Sequence, residues 1–207
     1  MNQKNSFGLN SCFLDLDDPL ELFKIWMSEA EKKEINDPNA LSLATSNKNN
    51  EPGVRMVLLK GLSQKGFVFY TNLNSPKSED LKKNPKAAMC FHWKSLQRQV
   101  RISGSITQVA DKEADLYFKS RPYESRIGAW ASDQSKVMKE RKDFLKKIDE
   151  FKIKYKDKKN LFRPNHWSGW CLNPSSIEFW LGDQFRIHER LKYNKISNNW
   201  KKEILYP

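Results

Sequence analysis

The spacing of apolar residues changes period along this chain, and each change predicts a different element. From Asp18-Pro19 to about Ile35 the period is helical, with Leu20, Phe23, Trp26, Met27 and Ala30 on one side. Ahead of it, residues 1–17 read as a flexible N-terminal arm, which leaves 18–207 as a single domain. Ala40–Ser46 and Val54–Lys60 read as strands joined by a polar turn over 47–53. A second turn, Gly61–Gly66, leads into the strongly β-prone Phe67–Thr71. Ser75 is expected to cap a short helix with Pro76 at its first position, ending near Asn84-Pro85.

Two more strands are predicted over Ala87–Trp93 and Arg98–Val109. In the second, Val100, Ile102 and Ile106 share one face while Gln99, Arg101 and Ser103 share the other. Asp111 is expected to cap a helix to about Ser120, broken at Arg121-Pro122, with further helix over Ser125–Ala131. The longest helix is expected from Lys136 to Lys156. Its stripe of Val137, Phe144, Ile148, Phe151 and Tyr155 suits core or subunit contact. Trp167–Tyr206 reads as several strands, with turns at Asn173-Pro174, Gly182-Asp183 and 194–199. Within it, Ile177–Leu181 is one strand and the chain from Phe185 returns as another. On that second strand Arg186, His188 and Arg190 share a face, while Ile187 and Glu189 take the other.

Strands joined by short turns, with helices inserted between them, predict an antiparallel barrel with flanking helices. The β-α alternation of a doubly wound sheet is missing, and so is any glycine-rich phosphate loop. A phosphate bound here must be held by side-chain cations.

Composition narrows the class. The chain has 207 residues, 38% hydrophobic and 12% aromatic, which is enough for a full core. No apolar run approaches the roughly 18 residues of a membrane span, and the opening residues lack the layout of a secretion signal. Cys12, Cys90 and Cys171 are odd in number and far apart, as expected of a reduced, cytoplasmic protein. The net charge of +12 raises the question of a polyanionic partner. Half of that excess lies in Lys136–Lys159, where eleven Lys/Arg meet five Asp/Glu, a pattern that fits a solvated helix face.

Candidate chemistry is limited to cations. His92, His166 and His188 stand alone, so no metal site is expected. No nucleophile motif is present. Arg186, His188 and Arg190 on one sheet face fit either an anion site or the solvated edge of a basic protein. Arg55 and Lys60 fall on opposite strand faces and meet one ligand only if the strand end turns. Tyr70, Thr71, Ser75 and Lys77 sit where a strand yields to a helix start, which suits an anion or a plain capped helix. Tyr117, Arg121 and Ser125 recur every four residues, on neighbouring turns if the helix bridges Pro122.

In combination these segments resemble the pyridoxine (pyridoxamine) 5′-phosphate oxidase family. The likeness is carried in order by Arg55-Met-Val-Leu-Leu-Lys60, Gly66-Phe-Val-Phe-Tyr-Thr-Asn72, Arg98-Gln-Val100 and Tyr117-Phe-Lys-Ser-Arg-Pro122. It continues through Ile127-Gly-Ala-Trp130 with Gln134-Ser135, then Ile177-Glu-Phe-Trp180 and Arg186-Ile-His188. It covers roughly Asp18 to Pro207. Each motif alone is weak, and the ordered set is specific.

The resemblance implies a mainly β fold, an antiparallel split β-barrel with flanking helices. It also implies a homodimer with FMN at the subunit interface and no nucleic-acid or membrane partner. By the same resemblance FMN is bound by Arg55, Met56, Val57, Leu58, Leu59 and Lys60, and by Tyr70, Thr71, Lys77, Gln99, Gln134, Ser135, Trp180 and Arg190. Lys60, Tyr117, Arg121 and Ser125 match residues that hold the substrate phosphate. Arg186 and His188, with Ile187 between them, match the pair over the pyridine ring, and the two are the expected catalytic residues. The implied reaction oxidises pyridoxine or pyridoxamine 5′-phosphate to pyridoxal 5′-phosphate, with O₂ reduced to hydrogen peroxide.

Three departures from the pattern stand out. Pro76 occupies a position where the family usually carries Arg, which predicts weaker FMN retention. The N-terminal arm is short and lacks the Arg and Tyr that the family uses to cover the substrate. Gly182-Asp183 replaces a Gly-Gly pair. Two alternatives stay open: a related split-barrel flavin oxidase or reductase with another substrate, and a basic nucleic-acid-binding module.

Overall fold

The computed structural model describes residues 4–207. Its elements are, in order, α1 (Pro19–Lys33), β1 (Ala40–Ser46), β2 (Pro52–Leu58), β3 (Gly61–Ser63), β4 (Gly66–Asn72) and α2 (Pro76–Lys83). There follow β5 (Lys86–Trp93), β6 (Arg98–Gln108), α3 (Asp111–Ser120), α4 (Tyr123–Ala131) and α5 (Arg141–Lys154). The chain closes with β7 (Trp167–Leu181), β8 (Glu189–Ile196) and β9 (Asn199–Ile204).

All nine strands belong to one antiparallel sheet. Its main path runs β2-β1-β5-β6-β7-β4-β3, and β8 and β9 branch from β7. The branch is possible because β7 is fifteen residues long. Its first half pairs with β4, its second half with β8, and β6 runs along nearly all of it. The turn expected at Asn173-Pro174 does not form. A register shift beside Ser103/Gly104 absorbs Pro174 without ending the strand. Gly104 is needed there, because a Cβ would sit 2.0 Å from the Asn173 carbonyl oxygen.

The core lies on the face that alternation predicts. Leu41 and Leu43 of β1, Met89 and Phe91 of β5, and Val100 and Ile102 of β6 are buried. Helix α1 closes this barrel. Asp18 Oδ1 accepts from Leu20 N–H at 2.9 Å, Pro19 follows at the first turn, and Lys32 and Lys33 face the C-terminal dipole. Phe23 from α1 meets Phe67 and Phe91 edge-on at 4.9 and 5.1 Å, and Trp26 meets Phe13 and Phe179. Truncating Phe23 to Ala would cost about 3–5 kcal/mol.

Several expectations are corrected. Residues 4–17, where an arm is expected, lie packed on the body, with Leu9 and Phe13 in the core and Asn10 N–H donating to Glu189. Met1–Gln3 of that arm fall outside the described residues. Helix α5 begins at Arg141, is shorter than α1, and buries no residue; Val137 lies before it and is fully exposed. Asp111 is the first residue of α3 and not its cap, and its carboxylate pairs with Arg163. Residues 184–186 form a tight helical turn with Phe185 and Arg186 at φ +55° and +63°, so β8 starts only at Glu189. The strand alternation expected for Arg186, His188 and Arg190 therefore does not apply. No described helix is long and apolar enough to cross a membrane.

Candidate active site

A cavity of about 780 Å³ opens between β2, the end of β4, the start of α2, and α3–α4. Its size suits a cofactor or a small ligand. Arg55, Met56, Val57, Leu58 and Lys60 line one side, and Tyr70, Thr71 and Lys77 another. Tyr117, Arg121 and Ser125 close the far wall, with Gln134 and Ser135 at the edge. No Asp or Glu lines it, although four cations do. Leu59 is buried behind the wall and does not line it.

Two of the cations are poorly satisfied within the chain. Lys77 is buried, and its Nζ donates only to neutral hydroxyls, Thr71 Oγ1 at 3.0 Å and Ser75 Oγ at 3.1 Å. Burial, with Arg55 as a like charge nearby, pulls its pKa down to about 8. Ser75 precedes α2 as expected but makes no side-chain cap; its hydroxyl donates to Asn72 O at 2.7 Å instead. Arg121 stacks over Trp167, 4.8 Å from the ring centroid, and its buried Nη1 has no partner. Burial lowers the Arg121 pKa too. A buried guanidinium N–H without an acceptor is costly, and an anion in the cavity would satisfy it.

An aromatic stack forms the floor. The rings of Tyr70 and Tyr117 lie 4.0 Å apart and nearly parallel, and Trp167 lies parallel beside both, its centroid 5.2 Å from Tyr70 and 6.2 Å from Tyr117. Burial pushes the Tyr70 phenol up to about 12, so it stays a neutral donor. Gln134 Oε1 accepts from Asn72 N–H at 3.3 Å and tethers the segment after α4 to the end of β4.

The remaining sequence-predicted residues lie elsewhere on the chain. Gln99, Trp180 and Arg190 are direct neighbours in register across β6, β7 and β8. Arg190 bonds Glu178 Oε1 through Nε and Nη2 at 2.9 and 2.8 Å. The His188 ring packs 4.6 Å from Trp180, and its Nδ1 accepts from Asp183 N–H at 3.2 Å. A neutral His188 therefore carries its proton on Nε2. Arg186 and Ile187 are exposed, and none of these residues lines the cavity of its own chain.

Sequence reading missed Trp167, Thr45 and Asp80. Trp167 walls the cavity, while Thr45 and Asp80 form the hydrogen-bonded support behind Arg55. Nothing local marks them, since Thr45 meets Arg55 across a strand pair ten residues on and Asp80 meets Thr45 from 35 residues away. Among the described residues no cluster of His, Cys, Asp and Glu is arranged to hold a metal.

Comparison with known proteins adds a separate line of observation. A family model described as Pyridoxamine 5′-phosphate oxidase matches residues 27–155, and another, Pyridoxine 5′-phosphate oxidase C-terminal dimerisation region, matches 167–207. A pyridoxine/pyridoxamine 5′-phosphate oxidase of Pelagibacter ubique is 62% identical over 208 aligned residues, covering 100% of both chains. One from Sinorhizobium fredii is 49% identical over 94% of this chain and 95% of its own. Among solved structures, PhzG from Burkholderia lata, crystallised with tetrahydrophenazine-1-carboxylic acid, superposes with a TM-score of 0.89. It is 26% identical and covers 95% of this chain and 96% of its own. A pyridoxamine 5′-phosphate oxidase-related, FMN-binding protein from Nostoc punctiforme has a TM-score of 0.72 at 16% identity, over 94% and 100% of the two chains.

Proposed function

The chain belongs to the pyridoxamine 5′-phosphate oxidase family, and from that premise we propose a division of labour among its site residues. The protein is an oxidoreductase that converts pyridoxine and pyridoxamine 5′-phosphates to pyridoxal 5′-phosphate. It works as a homodimer. We take its cofactor to be FMN and its electron acceptor to be O₂, with hydrogen peroxide as the second product.

The observation that carries the site reading is a cavity lined by four cations and no acid, with one buried guanidinium N–H left without an acceptor. Two phosphates, one on the cofactor and one on the substrate, fit that deficit. Arg55 and Lys77, joined by Thr71, suit the FMN phosphate. Lys60 and Arg121, with the hydroxyls of Tyr117 and Ser125, suit the substrate phosphate. When bound, FMN supplies the two-electron acceptor that the side chains themselves lack.

The second subunit supplies the rest. Val54 and Met56, 71% and 63% exposed, make an apolar outer face on β2, Met56 at the cavity itself, and a partner covering that face would exclude water. The partner would bring Gln99, Trp180 and Arg190 to the flavin and Arg186 with His188 to the pyridine ring. There Arg186 orients the substrate and steadies developing charge, and the proton on His188 Nε2 is placed to orient or relay.

The test is a visible spectrum of the purified protein with and without added FMN, followed by peroxide-coupled assays on pyridoxine 5′-phosphate and on pyridoxamine 5′-phosphate under air. A yellow protein that turns over these substrates is the expected outcome. A colourless protein with salt-sensitive nucleic-acid binding would overturn the reading, and a yellow one inactive on both vitamers would point to another substrate.

A further inference from the structure

Arg55 does not enter the cavity on a free side chain. Its Nη1 folds back across the β1–β2 pair to donate to Thr45 Oγ1 at 2.7 Å and to the Leu43 carbonyl at 3.3 Å. In register Leu43 faces Arg55 and Thr45 faces Gly53. The guanidinium thus crosses diagonally over Gly53, whose missing side chain leaves the room; a Cβ there would lie 2.8 Å from Nη2.

Thr45 is buried, and its single proton is committed. Its Oγ1 donates to Asp80 Oδ2 at 2.7 Å, on the α2 turn that follows Lys77. A hydroxyl that donates to a carboxylate turns its lone pairs the other way, here toward Arg55. Asp80 also opposes the loss of charge that burial would impose on Arg55. Neither Thr45 nor Asp80 lines the cavity.

We propose that Asp80, acting through Thr45, is a positioning residue that holds Arg55 ready for the phosphate of FMN. The inference rests on the reading above of Arg55 and Lys77 as the phosphate cations. A long side chain ordered before the ligand arrives loses little rotamer freedom on binding, so the relay raises affinity without touching the ligand. It also ties the two cations together, because Asp80 and Lys77 ride on the same short helix while Arg55 comes from β2.

The phosphate separates a positioning role from a structural one. FMN and riboflavin share the ring system and differ in the phosphate, so both are titrated against flavin-stripped full-length protein by fluorescence quenching. Thr45→Val and Asp80→Ala are each expected to weaken FMN binding by about tenfold and to leave riboflavin binding unchanged. Thr45→Ser should restore the preference for FMN, and Thr45→Val should add nothing in an Arg55→Gln background.

Full FMN preference in Thr45→Val and Asp80→Ala, alongside its loss in Arg55→Gln, would overturn the positioning role alone. Preference retained in Arg55→Gln would remove the cation reading beneath it. Equal losses for both flavins would assign Thr45 and Asp80 to the stability of the fold and likewise overturn the proposal.

Discussion

The cavity wall and the β7–β8 corner carry the same kinds of side chain and treat them in opposite ways. In the wall, Arg55 is braced by Thr45 and Leu43, and Lys77 is buried among hydroxyls. At the corner, Arg186 is exposed on a turn of two left-handed residues, next to a Phe185 that is 90% exposed. A non-glycine residue at positive φ is costly, and two in succession persist only where the surroundings hold them. On the division of labour proposed above, the contrast means that this chain pre-forms the half assigned to phosphate and presents outward the half assigned to the ring.

The largest effect should come from breaking the outward half. Arg186→Ala or His188→Ala is expected to lower turnover by on the order of a hundredfold to ten-thousandfold. FMN content, read from the visible spectrum, should not change; unchanged turnover would remove both residues from the chemistry.

The inward half should respond to pH. Lys77 attracts phosphate only as an ammonium, which is fully charged below its pKa of about 8 and lost above it. The FMN phosphate is already dianionic above about pH 6. FMN affinity should therefore fall about tenfold between pH 7 and pH 9, with proton uptake on binding at the higher pH. Lys77→Arg, which keeps its charge throughout, should flatten the profile. A flat wild-type profile would mean that the ammonium is not at the phosphate.

Mixing sharpens the comparison. Arg121→Ala and Arg186→Ala damage opposite halves, so mixed dimers of two inactive variants should contain one intact site. Random reassociation should recover roughly a quarter of native activity. No recovery would place both halves within one subunit. The smallest effect belongs to Pro76, which is exposed at the cavity edge. Pro76→Arg adds a solvent-screened cation and should tighten FMN by only about twofold to fivefold, measured by equilibrium titration.

Much of the fold was legible because it follows side-chain period. β1 and α3 fall within the bounds that alternation and helical spacing predict, and α1 differs by a residue or two at its ends. The misreadings have physical causes. Asn173-Pro174 carries a turn signature, but Gly104 opposite lets the strand run on as a bulge. Phe185 and Arg186 carry no sign of the left-handed backbone they adopt, which Gly or Asn would have signalled. Lys136–Glu140 shares the composition of α5 without joining it. For the site, the cations were visible as residue types and by resemblance. Which cations share one wall depends on pairings between distant segments, and the Thr45–Asp80 support could not be read from spacing.

Strand β7 sets a length scale for the dimer. Trp167 at its start walls the chain's own cavity, and Trp180 near its end is, on the proposed reading, offered to the neighbouring subunit. Thirteen residue steps separate them, about 40 Å of extended backbone. On that reading both reaction centres are strung on a common yardstick, which carries a bulge near Ser175 where it pairs with β6. A single residue inserted into this span would throw both centres out of step at once.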